Sequence, residues 1–257
     1  MLRASYETSL GTVELWSEKS PDASCNQDSY LIDERSDGLR LAVLDGVTPM
    51  TPEPWRLGLD RARYAAEMVR AALLANCSVK EAAEEAHRLI YRPEIPSYRD
   101  QPMTALVAAD VAPSGDWSRV SIYGDCEAWV RRSGDWQMLD AGDTLHPLAR
   151  QGYQGLVARR DEMSFRELRV AEGELLADES YWRRTCIGQF EAIQCADFAL
   201  VEWEALVLAS DGALLNPERI HRLDEWLGEL REWENGPENT RRFKRRDDVT
   251  VLRLNAI

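Results

Sequence analysis

Two apolar runs in this chain stop abruptly at an acid followed by glycine. Residues 39–44 read Leu-Arg-Leu-Ala-Val-Leu and end at Asp45-Gly46; residues 206–209 end at Ser210-Asp211-Gly212. Short apolar runs bounded by turn residues predict buried strands. An acid at the end of such a strand is aimed by rigid backbone into the loops that open there. Other acids recur at predicted strand ends. Asp28 stands in Asn26-Gln27-Asp28, Asp125 follows Gly124 between two strands, and Asp247-Asp248 precede the run 249–254. Carboxylates held this way can converge on hard cations, which prefer oxygen ligands. Without a cation their clustering is costly, because like charges repel in a partly dry site. Each acid alone has an ordinary reading, since Asp-Gly is a common turn and Asp a common strand terminator.

The elements between these acids set the fold class. Pro49, Pro52 and Pro54 predict an exposed loop after the first run. Residues 56–75 then carry Leu57, Tyr64, Ala65, Met68, Ala72 and Ala75 at helical spacing. Ser78 and Glu81 open a second helix with a capping-box pattern, whose apolar face is Ala82, Ala86, Leu89 and Ile90. Strand-forming segments follow at 104–111, 119–123, 127–132 and 136–139, with Ser133-Gly134-Asp135 as a hairpin turn. Residues 155–185 read as partly helical. Asn216-Pro217 starts a helix with the face Ile220, Leu223, Leu227 and Leu230, and residues 249–254 form the closing strand. Two early helices and a central run of strands are not a βαβ alternation. The order predicts α+β, with sheets packed together and helices outside, as one domain over 1–257.

Composition excludes several classes. With 257 residues, 44% apolar and 30% charged, the chain can bury a sizeable core. A net charge of −14 argues against nucleic acid as a partner. Its dense basic cluster, Arg241, Arg242, Lys244, Arg245 and Arg246, reads as a solvated loop, or as a patch for an acidic or phosphorylated partner. Five cysteines without a C-x-x-C spacing predict reduced thiols and a cytoplasmic protein. No signal peptide and no apolar run long enough to span a membrane are read, so no membrane partner is expected. Tryptophans 117, 129, 136, 226 and 233 read as packing residues.

Taken in order, the acidic motifs resemble the PPM/PP2C family of metal-dependent phosphatases. That family shows Asn-Glu-Asp, a strand ending in Asp-Gly, a Thr-Ala strand, a Gly-Asp-Ser-Arg-Ala hairpin, Ser-Asp-Gly and a final Asp-Asn strand. Here stand Asn26-Gln27-Asp28, Asp45-Gly46, Met103-Thr104-Ala105, Gly124-Asp125-Cys126-Glu127-Ala128, Ser210-Asp211-Gly212 and Asp247-Asp248-Val249-Thr250-Val251. Weaker echoes are the segment 143–146 and Arg184-Thr185-Cys186-Ile187-Gly188. The resemblance implies a four-layer α/β/β/α sandwich, two central antiparallel sheets flanked by helices. It implies a phosphoserine/phosphothreonine phosphatase whose substrate is a phosphorylated protein, hydrolysed by a water bridging two Mn²⁺ or Mg²⁺ ions. Asp45 would bridge both ions, the Gly46 carbonyl would ligate one, and Asp211 and Asp248 would hold the other. Asp28 would orient the water, and Asp125 resembles the ligand of a weaker third ion. The catalytic residues are thus expected to be Asp45, Asp28 and Asp211.

The match has gaps. Gln27 replaces Glu, Ala23 stands where many members place a phosphate-gripping Arg, Val47 follows Asp45-Gly46, and Cys126-Glu127 replaces Ser-Arg. The segment 47–54 would shape access in place of the family's Gly-rich loop. No substrate-binding residue and no oligomeric state is read. The alternative is a catalytically weak or inactive regulatory module on the same fold. A haloacid-dehalogenase chemistry needs a second Asp at position 47, which is Val, and no G-x-S-x-G supports a triad hydrolase. His87 and His221 read as helical packing or surface residues and His146 as a loop residue.

Overall fold

The structure, a computed structural model, describes residues 1–256 apart from 22–24, 48–58, 96–99, 143, 160–161 and 237–246. The loop expected at 47–54 and the basic cluster at 241–246 therefore lie almost wholly outside the described residues. So do Ala23, Leu57 and Asp143.

Two antiparallel sheets form the centre. The first has the order β1 (Leu2–Thr8), β2 (Gly11–Glu18), β11 (Val249–Ala256), β10 (Ala205–Ala209), β7 (Glu127–Arg132), β8 (Asp135–Met138). The second runs β3 (Ser29–Arg35), β4 (Gly38–Gly46), β5 (Thr104–Val111), β6 (Trp117–Tyr123), β9 (Cys195–Val201). Side chains alternate across a strand. In β4, Leu39, Leu41 and Val43 face the first sheet, while Ala42 and Leu44 face helices α1 (Arg61–Ala75) and α2 (Val79–Ile90). In β10, Leu206 and Leu208 point inward; Val207 and Ala209 meet α5 (Pro217–His221) and α6 (Leu223–Asn235). Burial on both faces is why these two strands read as unbroken apolar runs. The result is the expected helix, sheet, sheet, helix sandwich. Helices α3 (Pro147–Ala158) and α4 (Phe165–Leu175) pack on each other, the latter opened by a full Ser164–Glu167 capping box.

Several elements differ from expectation. Helix α1 starts after Asp60, whose carboxylate takes the Arg63 N–H at 2.7 Å, and not at 56. Leu89 is exposed, and His87 fills the buried face of α2 beside Ala83 and Ala86. The helix predicted after Asn216 breaks at Arg222 into α5 and α6 while keeping Ile220, Leu223, Leu227 and Leu230 buried. Strands β1, β2, β3 and β9 were not expected. The Ser133-Gly134 hairpin forms as predicted, both residues at positive φ. Among the described residues, no helix is long and apolar enough to cross a membrane.

Candidate functional site

Strand register brings the acids to one end of the sandwich. Ser29 pairs with Leu44, and Gly46 with Thr104, so Asp28, Asp45 and the start of β5 are neighbours. Leu106 pairs with Tyr123, which places the Asp125 turn beside them. In the other sheet Ala209 lies opposite both Val251 and Glu127, so Asp211, Asp247 and Asp248 emerge at one end.

Local contacts fix each acid. The Thr104 hydroxyl donates to the Asp45 carbonyl at 2.8 Å, and the Val47 N–H to the Met103 carbonyl at 3.1 Å. Asp211 opens a 3-10 turn, Asp211–Ala213, whose Ala213 carbonyl accepts the Trp226 indole N–H at 2.9 Å. A β-carbon on Gly212 would sit 1.8 Å from the Asp248 carbonyl oxygen, and one on Gly46 2.6 Å from the Gln27 carbonyl. Both glycines are therefore required where the site's segments touch. The loop ahead of β3 is gripped by Arg63, which donates to the Asn26 carbonyl at 3.3 Å and to that of Asp28. Asn26 caps the loop internally, taking the Asp28 N–H at 3.0 Å and donating to Ser17 Oγ at 3.0 Å.

The electrostatics are those of a crowded acid cluster. Burial, then the charges of Asp28, Asp211, Asp247 and Asp125, hold the Asp45 carboxyl well above the usual carboxylate range. Asp28 is 1% exposed, and both its carboxylate oxygens are buried without a hydrogen-bond partner. Burial first, then Asp248, holds it high; the nearby Ser210 and Thr250 hydroxyls act in the opposite sense without bonding it in sound geometry. Asp125 reaches solvent, yet the protein crowded around it and the Asp211 charge push it up to about 6, against the pull of Arg184. Below them the buried Cys126 thiol is pushed up by burial and by Asp45, Asp125, Asp28 and Asp211, so it stays neutral.

Two adjacent acids part company here. Asp248 is 5% exposed; its Oδ1 accepts the Ser20 N–H at 2.5 Å and its Oδ2 the Gln27 N–H at 2.7 Å. Asp247 takes the Asp248 N–H on Oδ1 at 3.0 Å, and its charge acts on Asp45, Asp28 and Asp125. Sequence reading quoted Asp247 but gave it no role, and it missed Asp60 and Arg63. Gln27 has its own partner, donating its amide to Asp60 at 2.9 Å. His146 caps α3, His221 lies on α5, and His87 is buried between the Gly188 N–H and the Glu191 carbonyl. None of the five cysteines is in a disulfide. Among the described residues, no three His, Cys, Asp or Glu side chains stand in a ready chelating arrangement. The donor chemistry nonetheless suits hard cations: the cluster is all oxygen, and a buried carboxylate in it lacks any partner.

No protein-family model matches the sequence, and no curated protein matches it. Solved structures do. RsbX in complex with magnesium superposes with a TM-score of 0.61 at 11% identity, covering 100% of both chains. The serine/threonine phosphatase Stp1 from Staphylococcus aureus gives 0.61 at 14% identity over 98% of each. The S. agalactiae serine/threonine phosphatase gives 0.59 at 18% identity, over 95% of this chain and 99% of its own. With its two antiparallel sheets between helices and these neighbours spanning nearly its whole length, the chain has the fold of the PP2C-type phosphatases.

Proposed function

We propose that this chain is a metal-dependent phosphoserine/phosphothreonine protein phosphatase. The observation that carries the reading is the meeting of Asp28, Asp45, Asp125, Asp211 and Asp247 at one end of the sandwich, where their charges help to hold Asp28, Asp45 and Asp125 above the usual carboxylate range. A cluster this unfavourable as it stands is best explained as a cation site. Asp45 and the Gly46 carbonyl, with Asp211 and Asp247, would hold Mn²⁺ or Mg²⁺, and Asp125 a weaker third ion. Asp247 would take the role that the sequence resemblance gave to Asp248, because Asp248 turns both oxygens to the Ser20 and Gln27 amides while Asp247 takes one amide, that of Asp248, on Oδ1. When bound, the ions would neutralise the acids, polarise the phosphoryl group and acidify the attacking water. Asp28, with two free acceptor oxygens, would orient that water and hold its proton. Asp248 fixes the loop that carries Asp28. The neighbours' names as serine/threonine phosphatases support a phosphorylated protein as substrate.

The second reading is a regulatory module without catalysis. It is favoured by the lack, among the described residues, of three acids already in chelating positions. Hydrolysis of p-nitrophenyl phosphate and of a phosphoserine peptide with Mn²⁺ or Mg²⁺ decides between them, against EDTA and Asp211→Asn. The phosphatase predicts metal-dependent turnover that falls by about 100-fold or more in the variant. Mn²⁺ binding by calorimetry without turnover would establish the regulatory module; no binding would remove the metal site itself.

A further inference from the structure

The last turns of α6 grip the backbone that carries Asp247. Arg231 Nη1 donates to the Asp247 carbonyl at 2.9 Å and to Glu234 Oε2 at 2.7 Å. Glu234, 0% exposed, accepts the Asp247 N–H on its other oxygen at 3.3 Å. Asp247 is thus held at both its N–H and its carbonyl by two side chains of one helix face. The same guanidinium reaches the Lys19 carbonyl and Glu18 Oε1, each at 3.5 Å. Residue 20 follows, and its amide lies on Asp248.

A buried carboxylate is costly unless paired and hydrogen-bonded. Glu234 meets both conditions with Arg231 and the Asp247 amide. The apolar docking of α6 is supplied elsewhere, by Leu223, Trp226, Leu227 and Leu230. What the polar pair adds is a fixed backbone immediately before β11. Asp248 turns its carboxylate to the Ser20 and Gln27 amides, while Asp247 Oδ1 takes the Asp248 N–H at 3.0 Å, so the two acids are set by one short stretch of backbone.

We propose that Arg231 and Glu234 are positioning residues for the acidic site: from the outer helix layer they fix the backbone at Asp247 and so set the site's metal affinity. This rests on the metal-site reading above. Outer partners of metal ligands typically change affinity about 10–100-fold when removed. The test is Mn²⁺ calorimetry on the full chain, with amide hydrogen exchange of the metal-free protein. Glu234→Ala should weaken Mn²⁺ binding by roughly 10–100-fold and expose the Asp247 amide to exchange. Glu234→Gln keeps an acceptor for that amide and should bind Mn²⁺ close to the unsubstituted chain. Equal affinity in folded Glu234→Ala would overturn the proposal. If that variant does not fold, exchange in the unsubstituted protein decides: protection of the Asp247 amide matching the α6 amides supports the clamp, and open-loop exchange overturns it. A failure of the unsubstituted chain to bind Mn²⁺ would instead strike the metal-site reading.

Discussion

Strand β4 carries charge near both ends, and the two ends are built in opposite ways. Near its start, Arg40 is 2% exposed and every guanidinium N–H is used. Nε and Nη2 bond Asp110 at 2.5 and 3.0 Å; the other hydrogens go to the carbonyls of Leu73, Asn76 and Cys77 at 2.7–2.9 Å. One cation meets one carboxylate and carbonyls at and just past the end of α1, where the helix dipole is negative. At the other end, the charges that act on Asp45 are all carboxylates, and Asp28 beside it has no hydrogen-bond partner. The same sheet closes one charge completely and leaves another open. On the proposed function, the closed charge serves structure within the chain and the open one awaits a cation.

The contrast breaks most visibly at the closed end. Arg40→Met strands Asp110 and the Cys77 carbonyl, while Arg35 still serves the carbonyls of Leu73 and Asn76. Removing one partner of a buried pair costs about 3–5 kcal/mol. Asp110 is 31% exposed, so the low end applies, roughly 3 kcal/mol. Urea denaturation should register that loss while metal affinity per folded molecule stays unchanged. A loss below about 1 kcal/mol would mean that the Arg40 network is no tighter than a surface pair.

At the open end the sign reverses. Asp28→Asn removes one buried charge from a cluster that repels it, and should stabilise the metal-free protein by about 1 kcal/mol while weakening Mn²⁺ binding. The pH dependence follows. Asp125 rises from its ordinary 3.8 to about 6, and Asp28 and Asp45 are held well above their ordinary value. Such groups bind more protons folded than unfolded. Their stability is fully present below pH ~4 and is lost as pH climbs through the folded values, for Asp125 between about 4 and about 6. The metal-free protein should lose stability across that window and above it, and Asp28→Asn should flatten the slope. Denaturation midpoints with EDTA that fall equally steeply in both proteins would show that the cluster is not the source.

The open end was also the more legible one. β4 and β10 are buried on both faces, so their apolar runs and terminal acids stand out in sequence. Edge strands carry no such signal: β1 is exposed or half-exposed along its whole length, and β9 buries only Leu200. In β2 the alternation of Val13 and Leu15 was present as a signal and went unread. Which of Asp247 and Asp248 would serve the proposed site was not readable, because neighbouring side chains near a strand point to opposite sides and a shift of one residue swaps them. The register with β2 and the grip of α6 fix the backbone there, and both are long-range.

Gln27 offers the finest test of the comparison, because it is a departure from the family pattern that the fold explains. Its amide donates to Asp60 Oδ2, a carboxylate that also takes the Cys25 thiol and the Arg63 N–H. Asp60 is thus closed like Arg40, although it stands beside the open cluster. Glutamate at 27 would set two carboxylates against each other and forfeit a hydrogen bond to a charged group, a loss of about 1.5–3 kcal/mol. Gln27→Glu should therefore lower the denaturation midpoint. Adding Asp60→Asn should recover most of the loss, since the amide can donate to the new carboxylate, and the two changes should be non-additive by about 1 kcal/mol or more. Additive effects would mean that residue 27 is independent of Asp60. In that case the loss of charge at 27 would belong to the acidic site itself, and Gln27→Glu would be expected to strengthen Mn²⁺ binding instead of weakening the fold.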